Sequence, residues 1–287
     1  MEREAEVVVL GAGVAGLAVA RALAERGRRV LVVAERLGEA SRVPVALVNP
    51  VRGKRGVLVP EGAWALEVAR AFYAPFAELR FGLLRPVPEA ERERWALRLQ
   101  DLPHTWRREG LFLPTAFWLE PRPLLERLAQ GLEVVLGRAV AWDGALHLED
   151  GRRLRPEVLV YAGGAKGAGL FRLGGRFVAG LTLLLEAWVE PALSHRVSLA
   201  GNALGGSYLD REEYEEPPPS EGEVEWLLQG AEALLGYRPK VVAAWRGVRL
   251  RLPEPLFPIP GGYALAGLGS TGFLLAPLLA RRLADKL

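Results

Sequence analysis

The chain of 287 residues contains no cysteine. Disulfides, thiolate nucleophiles and cysteine-ligated metals are therefore excluded. Histidine is scarce: His104, His147 and His195 stand far apart and in no ligand spacing, so no metal site is expected. Lysine occurs only at Lys54, Lys166, Lys240 and Lys286, among 37 basic residues. Arginine thus carries nearly all the positive charge, and its planar fork of donors suits ion pairs and anionic ligands. The net charge is only +3, with a pI of about 9.4. Without a basic stripe or tail, such a balance permits an anionic partner but does not demand one. Long apolar runs are also missing. The most apolar stretches, 7–20 and 264–280, are broken by glycine, serine, threonine or proline, and neither reads as a membrane span. No targeting segment is visible, and the cytoplasm is the expected compartment. There is no G-x-S-x-G elbow, no G-x-x-x-x-G-K-[ST] loop and no H-E-x-x-H pair.

What is present is enough apolar side chain, 50% of residues, to bury a sizeable core. Glu6 to Leu10 reads as a buried strand, Gly11 to Gly16 as a tight turn, Leu17 to Arg26 as a helix and Arg29 to Ala34 as a second buried strand. Continuous apolar runs of this kind suit parallel strands covered on both faces, and together the segments make a βαβ unit. Residues 42–60 read as a loop with short extended pieces, Trp64 to Arg80 as a helix, Ala116 to Glu120 as a strand and Pro121 to Gln130 as a short helix. Glu133 to Asp143 and Ala145 to Glu149 read as hairpin strands around Asp143-Gly144, and Val158 to Tyr161 as a further buried strand. Arg176 to Trp188 and His195 to Tyr208 read as strands, and residues 211–223, acidic with Pro217 to Pro219, as an exposed loop. Val224 to Leu235 reads as a helix, Val241 to Leu252 and Tyr263 to Ala266 as strands, and Gly272 to Lys286 as a terminal helix. The alternation predicts a parallel α/β domain built from several stretches, with insertions forming a more antiparallel one.

Gly11-Ala12-Gly13-Val14-Ala15-Gly16 fits G-x-G-x-x-G between a strand and a helix. The first glycine permits the turn, the second lets backbone approach a pyrophosphate, and the third lets helix and strand pack closely. Helix N-terminal N–H groups then face the anion. The acid expected at the end of the second strand, for a ribose hydroxyl, is Glu35. It stands one residue beyond the expected position, Ala34, so either the chain turns to bring it in or Glu35 is a solvated strand-end charge.

Further segments resemble flavoproteins of the two-dinucleotide-fold type. They are Val158-Leu159-Val160-Tyr161-Ala162-Gly163-Gly164, Trp118-Leu119-Glu120-Pro121, Gly247-Val248-Arg249 and the turn Gly267-Leu268-Gly269-Ser270-Thr271-Gly272-Phe273 before an apolar helix. With the N-terminal fingerprint, they make the chain resemble the D-amino-acid oxidase superfamily almost end to end. Ala46-Leu47-Val48-Asn49-Pro50, Gly205-Gly206-Ser207-Tyr208 and Ala276-Pro277-Leu278-Leu279 are similar, more specifically, to the FAD domain of bifunctional tRNA 5-methylaminomethyl-2-thiouridine biosynthesis proteins.

The resemblance implies an α/β fold: a Rossmann-like FAD-binding domain (1–60, 121–175 and 245–287) with an inserted, mostly antiparallel α+β substrate domain (61–120 and 176–244). It implies FAD as cofactor, held by Gly11, Gly13, Val14, Ala15 and Gly16; by Glu35 and Arg36; by Ala46 and Leu47; by Val140; by Ala162, Gly163 and Gly164; and by Gly269, Ser270, Thr271, Gly272 and Phe273. It implies oxidation of a C–N bond, with hydride passing to the flavin N5 and hydrolysis of the imine following. Arg249 is the candidate for gripping a substrate carboxylate with two parallel hydrogen bonds. Asn49 in the flavin-facing loop is the second catalytic candidate, and Lys54 and Arg55 are candidates for contact with substrate or RNA phosphate. The implied substrate is a small amine or amino acid. Two alternatives stay open: the same chemistry on a glycine-modified wobble uridine of tRNA, or a non-catalytic FAD-binding interaction subunit.

Overall fold

The computed structural model describes residues 2–53, 56–99 and 101–287. An eight-stranded sheet is built on the strand Glu2–Ala12, which pairs in parallel with Val30–Leu37 on one side and Arg153–Tyr161 on the other. Glu133–Leu136 extends the parallel set beyond Val30–Leu37, and Gly262–Leu265 extends it beyond Arg153–Tyr161. The valines of the first strand explain its central place. Val7 and Val9 face one core cluster, Val8 and Leu10 another. Successive side chains point to opposite faces, so an unbroken apolar run is what a doubly covered strand needs. The helices Val14–Ala24 and Gly272–Ala284 pack together on one face. The hairpin Ala139–Trp142 and Leu146–Leu148 continues the sheet from Arg153–Tyr161.

The second sheet has seven strands. Its axis is the long strand Arg176–Ser194, whose first half lies between Ser198–Arg211 and Val241–Arg251, antiparallel to both. Its second half meets Arg80–Arg85, which continues to Gly110–Leu119 and Ala46–Val48. The helix Glu221–Leu235 covers this sheet with Leu227, Leu228 and Ala231 against Leu181, Leu183, Leu199 and Leu204. Ser220 and Glu223 close its N-terminus as a capping box, and Gly236 ends it at φ 78°.

The α/β class, with an antiparallel second unit, is the expected one. Three details differ. Residues 133–143 are not one hairpin strand: Gly137 and Arg138 interrupt them, so Glu133–Leu136 joins the parallel sheet and only Ala139–Trp142 enters the hairpin. The helix expected to reach Arg80 ends at Tyr73, and Arg80 begins a strand. The expected domain division does not follow the sheets. Ala46–Val48 and Val241–Arg251 pair within the antiparallel sheet, while Gly62–Tyr73 packs on the C-terminal helix of the dinucleotide layer. A single core cluster runs from Val7 through Tyr73 to Trp118, so the two units share one interior.

Candidate functional site

A cavity of about 430 Å³ opens at the C-terminal ends of the parallel strands, where open α/β sheets bind ligands. The glycine turn forms one wall. Gly11 adopts φ +115°, and a Cβ there would stand 2.4 Å from the Ala162 carbonyl oxygen. A Cβ on Gly16 would stand 1.9 Å from the Gly11 carbonyl oxygen. These two glycines therefore serve turn geometry and close packing. A Cβ on Gly13 would meet only the Ser41 side chain, its Oγ at 3.1 Å, and Gly13 borders the cavity. Val14 and Ala15, in the first helical turn, line it too; first-turn N–H groups lack intrahelical acceptors. The Val14 N–H donates to Ser41 Oγ at 3.1 Å.

At the far end, Glu35 and Arg36 line the cavity beside Glu39 and Lys166. Lys166 Nζ donates to Glu35 Oε2 at 2.7 Å and lies 3.6 Å from Glu39 Oε1, and this hydrogen bond to Glu35 raises the lysine pKa. Arg36 is paired with Glu39, which raises its pKa. Glu35 thus turns toward the site, engaged by a lysine from the segment after Gly163-Gly164. Ala162, Gly163 and Gly164 line the cavity, with Gly164 at φ +62° and its carbonyl accepting from the buried Tyr161 hydroxyl at 2.9 Å. From the C-terminal turn, Gly269 and Gly272 contribute.

Other expected contacts lie elsewhere. Val140 is 50% exposed, and Gly137 and Ala139 line the cavity in its place; the break at Gly137 and Arg138 sets which residues of the new strand face inward. Phe273 packs its ring on Tyr73, centroids 6.2 Å apart. Thr271 is buried and its hydroxyl donates to the Leu268 carbonyl at 2.7 Å. Ala46 and Leu47 pack against the main core. Asn49 spends its carboxamide oxygen on the Val51 N–H, at 2.8 Å, holding a local turn. Lys54 and Arg55 lie outside the described residues. The acidic loop contains an unexpected contribution: Tyr214 and Glu216 line the cavity, and burial, aided by Glu216, pushes the Tyr214 hydroxyl up to about 12.

The remaining wall is the strand Val241–Arg251, from Trp245 to Leu250. The Trp245 indole lies over Gly247, where a Cβ would approach it to 2.2 Å. Arg249 is shared with a second cavity of about 260 Å³, formed with Val178, Leu209, Asp210, Arg251, Gly269 and Ser270. The Arg249 guanidinium lies against Gly180, whose Cβ would come within 2.9 Å of Nη2. Burial, with Arg251 and Arg52 nearby, pulls the Arg249 pKa down to about 10, so the group remains a cation at neutral pH. Arg52 and Arg251 have no motif of their own; the pairing of distant segments places them here.

The large cavity suits FAD. Its glycine-lined wall leaves room for a phosphate-bearing chain at Gly13, a helix N-terminus adjoins it, and an acid lies at one end for sugar hydroxyls. The turn at Gly269 lines both this cavity and the second one.

The family described as DAO, FAD dependent oxidoreductase, matches residues 6–181 and 185–286. The tRNA 5-methylaminomethyl-2-thiouridine biosynthesis bifunctional protein MnmC of Maricaulis maris is 32% identical over 98% of this chain and 52% of its own length. That of Caulobacter sp. is 27% identical over 99% of this chain and 55% of its own length. The chain spans about half the length of these curated relatives. Glycine oxidase from Geobacillus kaustophilus superposes with a TM-score of 0.80 at 19% identity, covering 99% of this chain and 95% of the other. L-proline dehydrogenase from P. horikoshii superposes at 0.78 and 16% identity, covering 99% and 93%. The chain belongs to the DAO family of FAD dependent oxidoreductases, and FAD is its cofactor.

Proposed function

We propose that this oxidoreductase removes hydride from the carbon beside the nitrogen of an amine that carries a carboxylate, with N-substituted glycines as the leading class. The observation that carries this reading is Arg249, which lines both the dinucleotide cavity and the smaller cavity. A carboxylate entering so confined a place needs a paired cation. A guanidinium fixes it in a plane by two parallel hydrogen bonds, which aims the α-carbon. Gly180 leaves the room in which that guanidinium lies. FAD, when bound, supplies the hydride acceptor. The chain's own part is to bind the carboxylate at Arg249, to orient the carbon and to screen the cavity with the Trp245 indole over Gly247. Anaerobic bleaching of the flavin tests the reaction class, using glycine, sarcosine, proline and D-amino acids beside hydroxy acids. Bleaching by amines is the expected result; bleaching by hydroxy acids alone would overturn the assignment.

A second reading keeps the chemistry and changes the substrate to a glycine-modified uridine of tRNA. It is supported by the match over 98% of the chain to a protein whose name places it in tRNA 5-methylaminomethyl-2-thiouridine biosynthesis. Glycine-modified tRNA in the same assay tests it, and reduction by free amines but never by that tRNA would set it aside.

A further inference from the structure

The smaller cavity holds more positive charge than one carboxylate requires. Arg249 and Arg251 stand two apart on one strand and both line it, as period-2 alternation allows. Arg251 packs beside the Gly269 turn, where a Cβ would lie 3.8 Å from Arg251 Cβ and 3.9 Å from its Nε. Arg52 arrives from a segment some two hundred residues away, and its Nη2 donates to Ser270 Oγ at 3.4 Å. Buried Arg85 helps hold that segment: its Nη2 donates to the Gly53 carbonyl at 2.8 Å and its Nη1 to the Val51 carbonyl at 3.3 Å. Two guanidiniums therefore line the pocket, and a third, that of Arg52, reaches its Ser270. Burial and then Arg251 lower the pKa of Arg52, and burial, Arg251 and Arg52 lower that of Arg249. The acid in the wall, Asp210, is engaged by Arg176, whose Nε is 2.9 Å from Oδ1. Like charges gathered in a cleft repel one another and concentrate anions there.

We propose that the pocket takes a substrate bearing two anionic groups: a carboxylate beside the amine, held by Arg249, and a second oxyanion, held by Arg52 and Arg251 on the Ser270 side. The proposal rests on the role given to Arg249 above. Arg251 is exposed and Arg52 only partly buried, so the second group lies toward solvent. A free monocarboxylic amino acid does not reach it. An N-substituted glycine whose substituent ends in a carboxylate does, and so does a glycine adduct with a phosphodiester close by.

The test uses the FAD-loaded protein, with Arg52→Gln, Arg251→Gln and Arg251→Lys beside wild type. Anaerobic flavin reduction gives the dissociation constant for sarcosine, for iminodiacetate and for an anticodon stem-loop RNA carrying a glycine adduct. In wild type, iminodiacetate or the RNA is expected to bind at least about tenfold more tightly than sarcosine, and that ratio to fall to within about threefold in either Gln variant. Arg251→Lys should retain most of the preference. Which of the two ligands shows it identifies the source of the second anion, and a steep salt dependence marks the phosphodiester. No preference in wild type, or one that survives both Gln variants, overturns the proposal. Failure of every amine to reduce the flavin removes the reading of the reaction instead. Sulfate titration of the flavin spectrum then decides the anion site separately: weakening by about tenfold in Arg251→Gln supports it, and an unchanged constant overturns it.

Discussion

Lys166 reaches Glu35 across the nucleotide cavity, Nζ to Oε2 at 2.7 Å, joining the segment after Gly163-Gly164 to the end of the second parallel strand. Both side chains are about two-fifths exposed, 41% and 40%, so the pair adds little to stability and its carboxylate can exchange partners. If Glu35 holds the adenosine ribose, Glu35→Ala should weaken FAD by about 1–3 kcal/mol, the scale for losing a charged hydrogen bond. Glu35→Gln, which keeps an acceptor, should lose less. Fluorescence titration of the apoprotein with FAD gives the constants. An FAD affinity that Glu35→Ala leaves unchanged would make Glu35 a partner of Lys166 alone.

The three motif glycines should separate into two kinds. Gly16→Ala puts a methyl 1.9 Å from a backbone oxygen, and backbone cannot step aside cheaply. Overpacking of this sort costs roughly 1–3 kcal/mol or more, so a lower melting temperature is expected even without cofactor. Gly13→Ala meets only the Ser41 side chain, Oγ at 3.1 Å and Cβ at 3.9 Å, a contact that a small shift relieves without giving up the bond from the Val14 N–H. The apoprotein should therefore melt near wild type, while Gly13→Val, which fills the approach to the pyrophosphate, should lose FAD. Thermal melts with and without FAD distinguish the two; equal apoprotein destabilisation at Gly13 and Gly16 would contradict the division.

The buried pair Arg246–Glu223 invites a different test. Nη2 and Oε2 are 2.6 Å apart, with the side chains 6% and 1% exposed. Among the described residues, Glu223 Oε1 and Arg246 Nε and Nη1 have no hydrogen-bond partner. Removing one member leaves the other charge uncompensated, so Arg246→Met or Glu223→Leu should each cost about 3–5 kcal/mol, and the double variant should recover much of that. Burial raises the Glu223 pKa, but the bonds from Arg246 and Ser220 outweigh it and leave the group below its ordinary value. Its contribution is therefore present above the ordinary carboxylate range and declines as pH falls through its lowered value. Denaturant melts taken from pH 7 downward should show the single variants converging on wild type only once the pH has fallen below the ordinary carboxylate value.

These tests also mark what the sequence makes legible. Gly11, Gly13 and Gly16 are readable because one local turn imposes their spacing, and the valine run because a doubly buried strand demands it. Glu35, for which the sequence leaves two readings open, lines the cavity, and its lysine partner lies 131 positions away. Val140 fails by one step of strand parity, since nothing local announces that Gly137 and Arg138 restart the strand. Tyr214 and Glu216 look like solvated loop residues because an acidic, proline-rich stretch has the same composition whether it crosses a cavity or faces water. Arg52, Arg251 and Ser270 meet only through sheet pairing and the chain's return to the C-terminal turn. No spacing encodes that meeting.

Arg249 provides the sharpest prediction, because charge, fork and surroundings can be varied separately. Arg249→Met removes the cation and should cost about 2–5 kcal/mol in transition-state stabilisation for a carboxylated amine. Arg249→Lys keeps the charge and loses the planar grip, so its main loss should be in orientation and therefore in the rate of flavin reduction. Neither variant should slow the methyl ester of the same amine comparably, since the ester offers no carboxylate. Equal losses on acid and ester would show that the arginine does not grip a carboxylate. The pH dependence gives an independent reading with methoxyacetate, a carboxylate ligand that has no titrating amine. Burial and the two neighbouring arginines pull Arg249 down to about 10. The binding cation is thus fully present through the neutral range and lost as pH rises through that value. The dissociation constant should be flat from about pH 6 to 9 and climb above about 10. Arg251→Gln deletes a like charge, so the alkaline limb should move to higher pH even as the affinity below it falls. A limb that stays in place would mean that Arg251 does not act on Arg249.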